Sequence, residues 1–316
     1  MIYWCGGEDM DFPGGTRPSR STSTIYFITE YSRCGLFNCM AFSKPFSPAI
    51  SRGWLHYYGY HSLASSTICQ VGLIDSASGK GYFFGSITYG RVYIHYYNGS
   101  TKVSVGDYST ALGSGTFDIY FNYAQAGEIR IYHNRNHNSS HYYPGNLLID
   151  GVTGFDTVAI HAGSTVSNNV ISQVIVSDTD TRQMNLLTMA PTASGTVNEF
   201  TGQYSDINST AWNDGTFMVA TDPDKTAYVN LNDVGSLPGV VKAIKIATRS
   251  ATNDEELDLR VGFESGGDLY LGPALGLSEN FDQYEQILHK NPITDKVFTS
   301  AEMDSLQLAF RTVSTV

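Results

Sequence analysis

Charge is scarce in this chain of 316 residues, and positive charge is scarcer still. Only 16% of residues are charged, and 19 Lys and Arg face 30 Asp and Glu, for a net charge of −11. Proteins that grip nucleic acid or an anionic membrane surface concentrate basic residues, so neither partner is expected. No apolar run approaches the roughly 18–20 residues that cross a bilayer as a helix. The opening Met1-Ile-Tyr-Trp-Cys-Gly-Gly-Glu-Asp lacks a basic region and a long apolar core. It therefore does not read as a secretory signal, which sets the expectation of a protein made in a cytoplasm and not exported by the Sec route. Cysteine occurs four times, at Cys5, Cys34, Cys39 and Cys69. Free, mostly buried thiols are expected in that compartment. Cys34-x4-Cys39 has no second pair at zinc-finger spacing, so no metal and no cofactor are expected. Catalytic signatures are missing as well. There is no Gly-x-Ser-x-Gly elbow, no His-Glu-x-x-His and no phosphate-cradling glycine loop.

What is present is glycine and aromatic residue: 31 Gly, 21 Tyr and 16 Phe. That mixture suits sheets and turns more than helical bundles. The clearest stretch is Gly115 to Asn134. Phe117, Ile119 and Phe121 fall on one face of an extended segment, with Asp118 and Tyr120 on the other, and Ile129 and Ile131 repeat the alternation. Between them, Tyr123-Ala-Gln-Ala-Gly127 predicts a turn with Gly127 at positive φ, and hence an antiparallel hairpin with one buried face.

Other period-2 runs surround it. They are Ile2-Tyr3-Trp4, 25–31, 53–61, 71–75, 82–87, 90–97, 101–105, 147–151, 156–161 and 170–176. Asn98-Gly99 reads as a tight type I′ turn. Together these predict about ten to twelve short strands with no helix, a sandwich or jelly roll.

Composition divides the chain. Seventeen of the 21 Tyr, all four Cys and seven of the eight His precede residue 182. Residues 1–181 carry 10 Lys and Arg against 12 Asp and Glu, net −2, and the remainder carries 9 against 18, net −9. The predicted domains are therefore 1–177 and 178–316, joined near Val176 to Arg182. In the second, 189–196 reads as a loop and 217–231 as two strands around Asp222-Pro-Asp224. Val240 to Arg249 alternates, and Leu257 to Phe263 answers it as a partner. Thr299 to Arg311 reads as the one helix. Thr299 caps it, Glu302 stands three residues on, and Met303, Leu306 and Phe310 share a face.

The order of the first-half strands resembles the concanavalin A-like lectin and laminin-G sandwich over about residues 25–177. The resemblance rests on the Trp54 strand, an apolar-Asp-turn strand, Gly90-Arg-Val-Tyr-Ile ending in Asn-Gly-Ser, and Thr116-Phe-Asp-Ile-Tyr-Phe. Gly127-Glu-Ile-Arg-Ile-Tyr and Ile171-Ser-Gln-Val-Ile-Val complete it. The implied fold is mostly β: an N-terminal concanavalin A-like jelly roll, then a smaller β-rich domain with one late α-helix. Hydrolases of that fold carry Glu-x-Asp-x-x-Glu on one strand, and no stretch here fits it. Asp118, Glu128 and Asp150 stand singly, so the expectation is a protein that is not an enzyme.

A second resemblance covers most of the chain. Ile171 to Arg182, Met189-Ala-Pro-Thr-Ala-Ser-Gly-Thr, Phe200 to Asn208, Val241 to Arg249, Asn291 to Thr299 and the opening Trp4-Cys-Gly-Gly-Glu-Asp-Met-Asp-Phe carry it. In these the chain is similar to structural proteins of tailed bacteriophages, especially those of marine bacteria. The resemblance implies a virion component, namely a tail fibre, head fibre or decoration protein, assembled in the host cytoplasm as a homo-oligomer, with a trimer as the expected state. Its partners would be other virion proteins and host-surface polysaccharide. A glycan-binding adhesin is the main rival, and a polysaccharide depolymerase the third reading.

The candidate binding or interface residues follow from aromatic and imidazole clusters: Trp54, Tyr58, Tyr60, His133, His137, His141, Tyr142 and Tyr143. Alternation puts Trp54, His56, Tyr58 and Tyr60 on one face of a strand and Leu55 and Tyr57 on the other. One face must be core; the other offers rings beside polar tips, which suits sugar stacking and protein interfaces. The segment 133–141 reads as an exposed polar loop, with glycan or subunit contact and a metal as its alternatives. Asp178-Thr-Asp180 and Asp222-Pro-Asp224 are read as turns.

Overall fold

The period-2 runs of the first half pair into two antiparallel sheets. The structure is a computed structural model and describes residues 1–6, 14–15, 35–36, 40–59, 68–88, 91–99, 101–111, 115–136, 138, 141–163, 170–208, 214–235 and 239–315. The chain forms two compact units, Met1–Leu187 and Thr188–Val316.

In the first unit the strands are β1 (Ile2–Gly6), β2 (Gly14–Gly15), β3 (Gly35–Leu36), β4 (Met40–Phe42), β5 (Arg52–Gly59), β6 (Ile68–Ile74) and β7 (Lys80–Thr88). They continue as β8 (Arg91–Asn98), β9 (Lys102–Ala111), β10 (Gly115–Asn122), β11 (Gly127–His133), β12 (His141–Gly145), β13 (Thr157–Gly163) and β14 (Val170–Ser177). One sheet runs β1-β14-β5-β10-β11-β12, with β3 also on β14; the other runs β2-β4-β13-β6-β7-β8-β9. Their inner faces share one core. Leu55, Tyr57, Phe117, Ile119, Ile131, Val174 and Val176 from the first sheet meet Val71, Leu73, Phe84, Ile94, Val158 and Ile160 from the second. Fully burying each large apolar side chain contributes about 1.5–3 kcal/mol, so this layer is the main stabilising term. Tyr57 stacks on Phe117 at 5.1 Å, and its hydroxyl donates across the sandwich to the Phe84 carbonyl at 3.3 Å. The first unit is a jelly-roll-like sandwich, and the chain as a whole is mostly β with one late helix, as the sequence predicts.

The central hairpin has the predicted faces, with Ile119 registered against Ile131 on β11 and Leu55 on β5. Gly127 has a different reason to be glycine. Its φ is not positive. A Cβ there would stand 2.4 Å from the Asn122 carbonyl oxygen and 2.8 Å from that of Ala124, so the tight turn itself excludes a side chain. Gly99 does take positive φ (94°), and Asn98 closes that turn by accepting the Thr101 amide at 2.8 Å.

Residues 147–151 are not the expected strand. The chain turns at Asp150-Gly151, where Gly151 has φ 79°. The Tyr82 hydroxyl donates to the Leu147 carbonyl at 2.8 Å, and the Tyr123 hydroxyl donates to that of Ile149 at 3.2 Å. Burial pushes both phenols above the ordinary tyrosine range. Two side chains thus supply the hydrogen bonds that a ladder would have given. The strand expected over 25–31 and the residues Cys34 and Cys39 lie outside the described residues. Cys5 is buried.

The second unit holds β15 (Pro191–Asn198), β16 (Thr226–Leu231), β17 (Ile244–Ser250), β18 (Leu257–Ser265), β19 (Asp268–Ala274), β20 (Asp282–Leu288), α1 (Ser300–Ser305) and β21 (Gln307–Ser314). Five strands run β15-β16-β21-β18-β19, and β17 pairs with β20 alone. Four expectations are corrected here. Residues 191–198 are a strand, not a loop. Pro191 is tolerated because β15 lies at the sheet edge. Only β16 forms in 217–231; Val219 makes an isolated bridge to Thr201. The partner of 244–250 is β20, since β18 is taken on both sides by β19 and β21.

The helix ends at Ser305, and residues 307–314 are strand. Their own alternation, with Ala309 buried against β16 and β18, prevails over the helical spacing of Met303, Leu306 and Phe310 once two strands compete for that backbone. The cap itself is as expected. The Thr299 hydroxyl accepts the Glu302 amide at 3.2 Å, and the Glu302 carboxylate accepts the Thr299 amide at 2.7 Å. The Thr299 amide and hydroxyl hold the Glu302 carboxyl below the usual range. A lowered folded pKa contributes stability that is present above the unfolded glutamate value and lost as pH falls through the folded one. Thr299→Ala is expected to destabilise the second unit by about 1 kcal/mol at neutral pH. The difference from wild type should narrow in acid unfolding series below the ordinary glutamate range. A difference independent of pH would refute the reciprocal cap.

Candidate functional site

The outer face of the β5–β10–β11–β12 sheet carries the residues to consider. Strand alternation sends Leu55 and Tyr57 inward, and leaves Arg52, Trp54, His56 and Tyr58 of β5 facing out. Register then lines these residues up with their neighbours in rows across the strands. In the first row Asp118 stands between His56 and Tyr132. In the second, Trp54, Tyr120, Arg130 and Tyr142 follow one another. In the third, Arg52, Asn122, Glu128 and Pro144 do.

The first row is closed to solvent. His56 Nδ1 donates to Asp118 Oδ1 at 2.7 Å, and the Thr181 hydroxyl donates to the same oxygen at 2.8 Å; all three residues are 0% exposed. Thr181 arrives from residues 178–187, which lie back on this face; the first unit accordingly extends to Leu187, past the predicted divide at 177. Arg135 ties the same segment down by donating to the Asn185 side chain and the Met184 carbonyl. A nucleophilic hydroxyl needs an adjacent general base and access for a substrate. Here the hydroxyl bonds to the carboxylate and solvent reaches none of the three, so the group orders the chain and fixes the floor of the site.

The second row is half-open. Trp54 lies 5.4 Å from Tyr120 and 5.5 Å from Tyr132, both tilted. The Arg182 guanidinium sits 4.6 Å over Tyr132 and 5.4 Å over Trp54. It is held by Asp180, whose carboxylate accepts Nε at 3.0 Å, and that bond is the main reason its pKa is raised. Arg130 lies 5.1 Å over the ring of Tyr142, which is 51% exposed, and donates Nε and Nη2 to Glu128 at 3.1 and 2.8 Å. Arg52 lies 5.7 Å over Tyr120. From Trp54 to Tyr142 the row spans three strand spacings, about 14 Å. Chemically it is a platform of π-faces edged by guanidinium groups, suited to stacking and to polar rims.

Among the predicted residues, Trp54, Tyr58 and Tyr142 lie on this face. Tyr143 points the other way and packs against the core. His133 lies with its ring 4.9 Å from Phe117, and His141 is buried. Tyr60 and His137 lie outside the described residues. Among the described residues no cluster of His, Cys, Asp and Glu could hold a metal. Sequence reasoning missed Tyr120, Tyr132 and Arg182. Tyr120 was recognisable as facing away from the core, but nothing local tied it to Trp54.

No protein-family model and no curated protein matches this chain. Solved structures to which it is similar include a native glycosidic hydrolase, at 10% identity and a TM-score of 0.35, covering 55% of this chain and 89% of that one. A Bacillus licheniformis β-glucanase is similar at 10% identity and 0.30, covering 55% and 99%. The receptor binding domain of botulinum neurotoxin D is similar at 11% identity and 0.37, covering 94% and 92%. The expectation that the chain is not an enzyme is corrected: a glycosidic hydrolase and a β-glucanase stand among the structures to which it is similar.

Proposed function

We propose that this chain is a bacteriophage virion component, a tail fibre, head fibre or decoration protein, whose first unit binds host-surface glycan. The observation that carries the binding reading is the row Trp54, Tyr120, Arg130 and Tyr142, a line of rings and guanidinium groups on one sheet face. The virion assignment is supported by the sequence stretches 171–182, 189–196, 241–249 and 291–299, and by an aromatic, charge-poor composition. Homo-oligomer formation belongs to the same reading, since repeated subunits with closed symmetry are the ordinary way to multiply weak contacts.

Two measurements test it. Antibodies to the chain should label intact particles, and the purified protein should be retained by immobilised host-surface polysaccharide. Tyr142→Ala should weaken that retention about three- to tenfold, the effect of removing one exposed stacking ring. Since Tyr142 is largely exposed, the variant should keep its unfolding midpoint. Particles that lack the chain, or retention indifferent to both Tyr142→Ala and Trp54→Ala, would overturn the proposal.

A further inference from the structure

We infer that the glycan taken by this face is anionic, and that Arg52 selects it. The inference rests on the glycan reading above and adds the chemical class of the sugar. Three guanidinium groups border the aromatic row, and their states differ. Arg130 commits two of its donors to Glu128. Arg182 commits its fork to Asp180. Arg52 has no carboxylate partner among the described residues; it is exposed, and its guanidinium lies over Tyr120 with Asn122 registered beside it.

An arginine fork matches a carboxylate or sulfate through paired N–H donors, whereas a neutral hydroxyl uses one of them. A pyranose ring stacked on Tyr120 and Trp54 would present its edge substituent toward Arg52. Arg52 stands two residues before Trp54 on the same face of β5, about 7 Å along the strand, so one arginine can read the sugar that the rings hold. The first unit carries little net charge, 11 Lys and Arg against 12 Asp and Glu over residues 1–187, net −1. The general field of that unit therefore opposes an acidic polymer only weakly, and selection falls to Arg52, which among the three described guanidinium groups at the row is the one without a carboxylate partner.

The test uses the full chain and immobilised polysaccharides of known charge: alginate for carboxylate, dextran sulfate for sulfate, and dextran as the neutral control. Binding to one or both acidic polymers should exceed binding to dextran and fall as salt rises. Arg52→Gln should lose about tenfold in affinity for the acidic polymer, and distinctly less on the neutral one. Arg52→Lys should fall between them, because it keeps the charge and loses the fork. Circular dichroism of both variants should match wild type, since Arg52 is exposed. Equal binding of dextran and the acidic polymers, or an Arg52→Gln variant that binds alginate and dextran sulfate as wild type does, would overturn the inference while leaving the glycan reading in place. Retention of none of the host or test polysaccharides would remove both.

Discussion

Asp118→Ala is expected to cost the first unit about 2–6 kcal/mol of unfolding free energy, about 1–3 kcal/mol for each of the two buried polar partners left unsatisfied. One carboxylate oxygen accepts from both His56 Nδ1 and the Thr181 hydroxyl, at 2.7 and 2.8 Å, in a place no solvent reaches. Removing it strands an imidazole and a hydroxyl together. Thr181 then loses its anchor, and the Arg182 guanidinium beside it should leave the rings of Trp54 and Tyr132. Urea unfolding followed by tryptophan fluorescence checks both parts: a lower midpoint, and a changed native-state signal. Asp118→Leu combined with His56→Phe should recover part of the loss, because the imidazole is no longer stranded and only the Thr181 hydroxyl stays unpaired. A midpoint for Asp118→Ala within about 0.5 kcal/mol of wild type, the scatter of ordinary surface substitutions, would show that this triad does not hold the segment.

Phe155→Ala should have an effect of the same size for an unrelated reason. The ring is almost fully buried and meets Tyr82, Phe121 and Tyr123 edge to face, at 6.2, 6.2 and 4.9 Å. Deleting a core phenylalanine costs about 3–5 kcal/mol, the lost transfer term plus the cavity left behind. Little of that cavity should collapse. Phe155 is bracketed by two backbone hydrogen bonds with Ile50, each 2.8 Å, and its ring neighbours Tyr82 and Tyr123 have hydroxyls bound to backbone carbonyls. Phe155→Leu should cost distinctly less. Thermal unfolding ranks the two variants, and equal midpoints would mean that the site relaxes. Because burial holds the Tyr82 and Tyr123 phenols high, water entering the cavity should also bring their ionisation to lower pH in an alkaline titration.

The parts of the fold legible in the sequence are those fixed by neighbours a few residues apart. Phe117, Ile119 and Phe121 declare a buried strand face by themselves, and Thr299 with Glu302 declares a helix start. Failure begins where two local signals coincide. Met303, Leu306 and Phe310 fit a helix, while Gln307 to Ser314 alternates as a strand, and the open slot between β16 and β18 decides between them. β15 gave no apolar alternation because an edge strand of Thr, Ser and Gly presents little core. The site was half legible. The face bearing Trp54 was marked as one of two, but Asp118 and Thr181 stand 63 positions apart, and no period or motif links a solitary acid to a threonine in a polar turn. Arg182 escaped for the same reason, as a basic residue in a stretch whose composition marks a boundary.

That stretch bears on how such genes could trade parts. A crossover at codon 177, where the residue mix changes, would give the incoming partner a first half without Thr181 and Arg182, and its buried aspartate would face a void. Recombination downstream of codon 187 would transfer the whole first unit with its anchor. Natural shuffling should therefore respect the hydroxyl's anchor more strictly than the shift in residue usage.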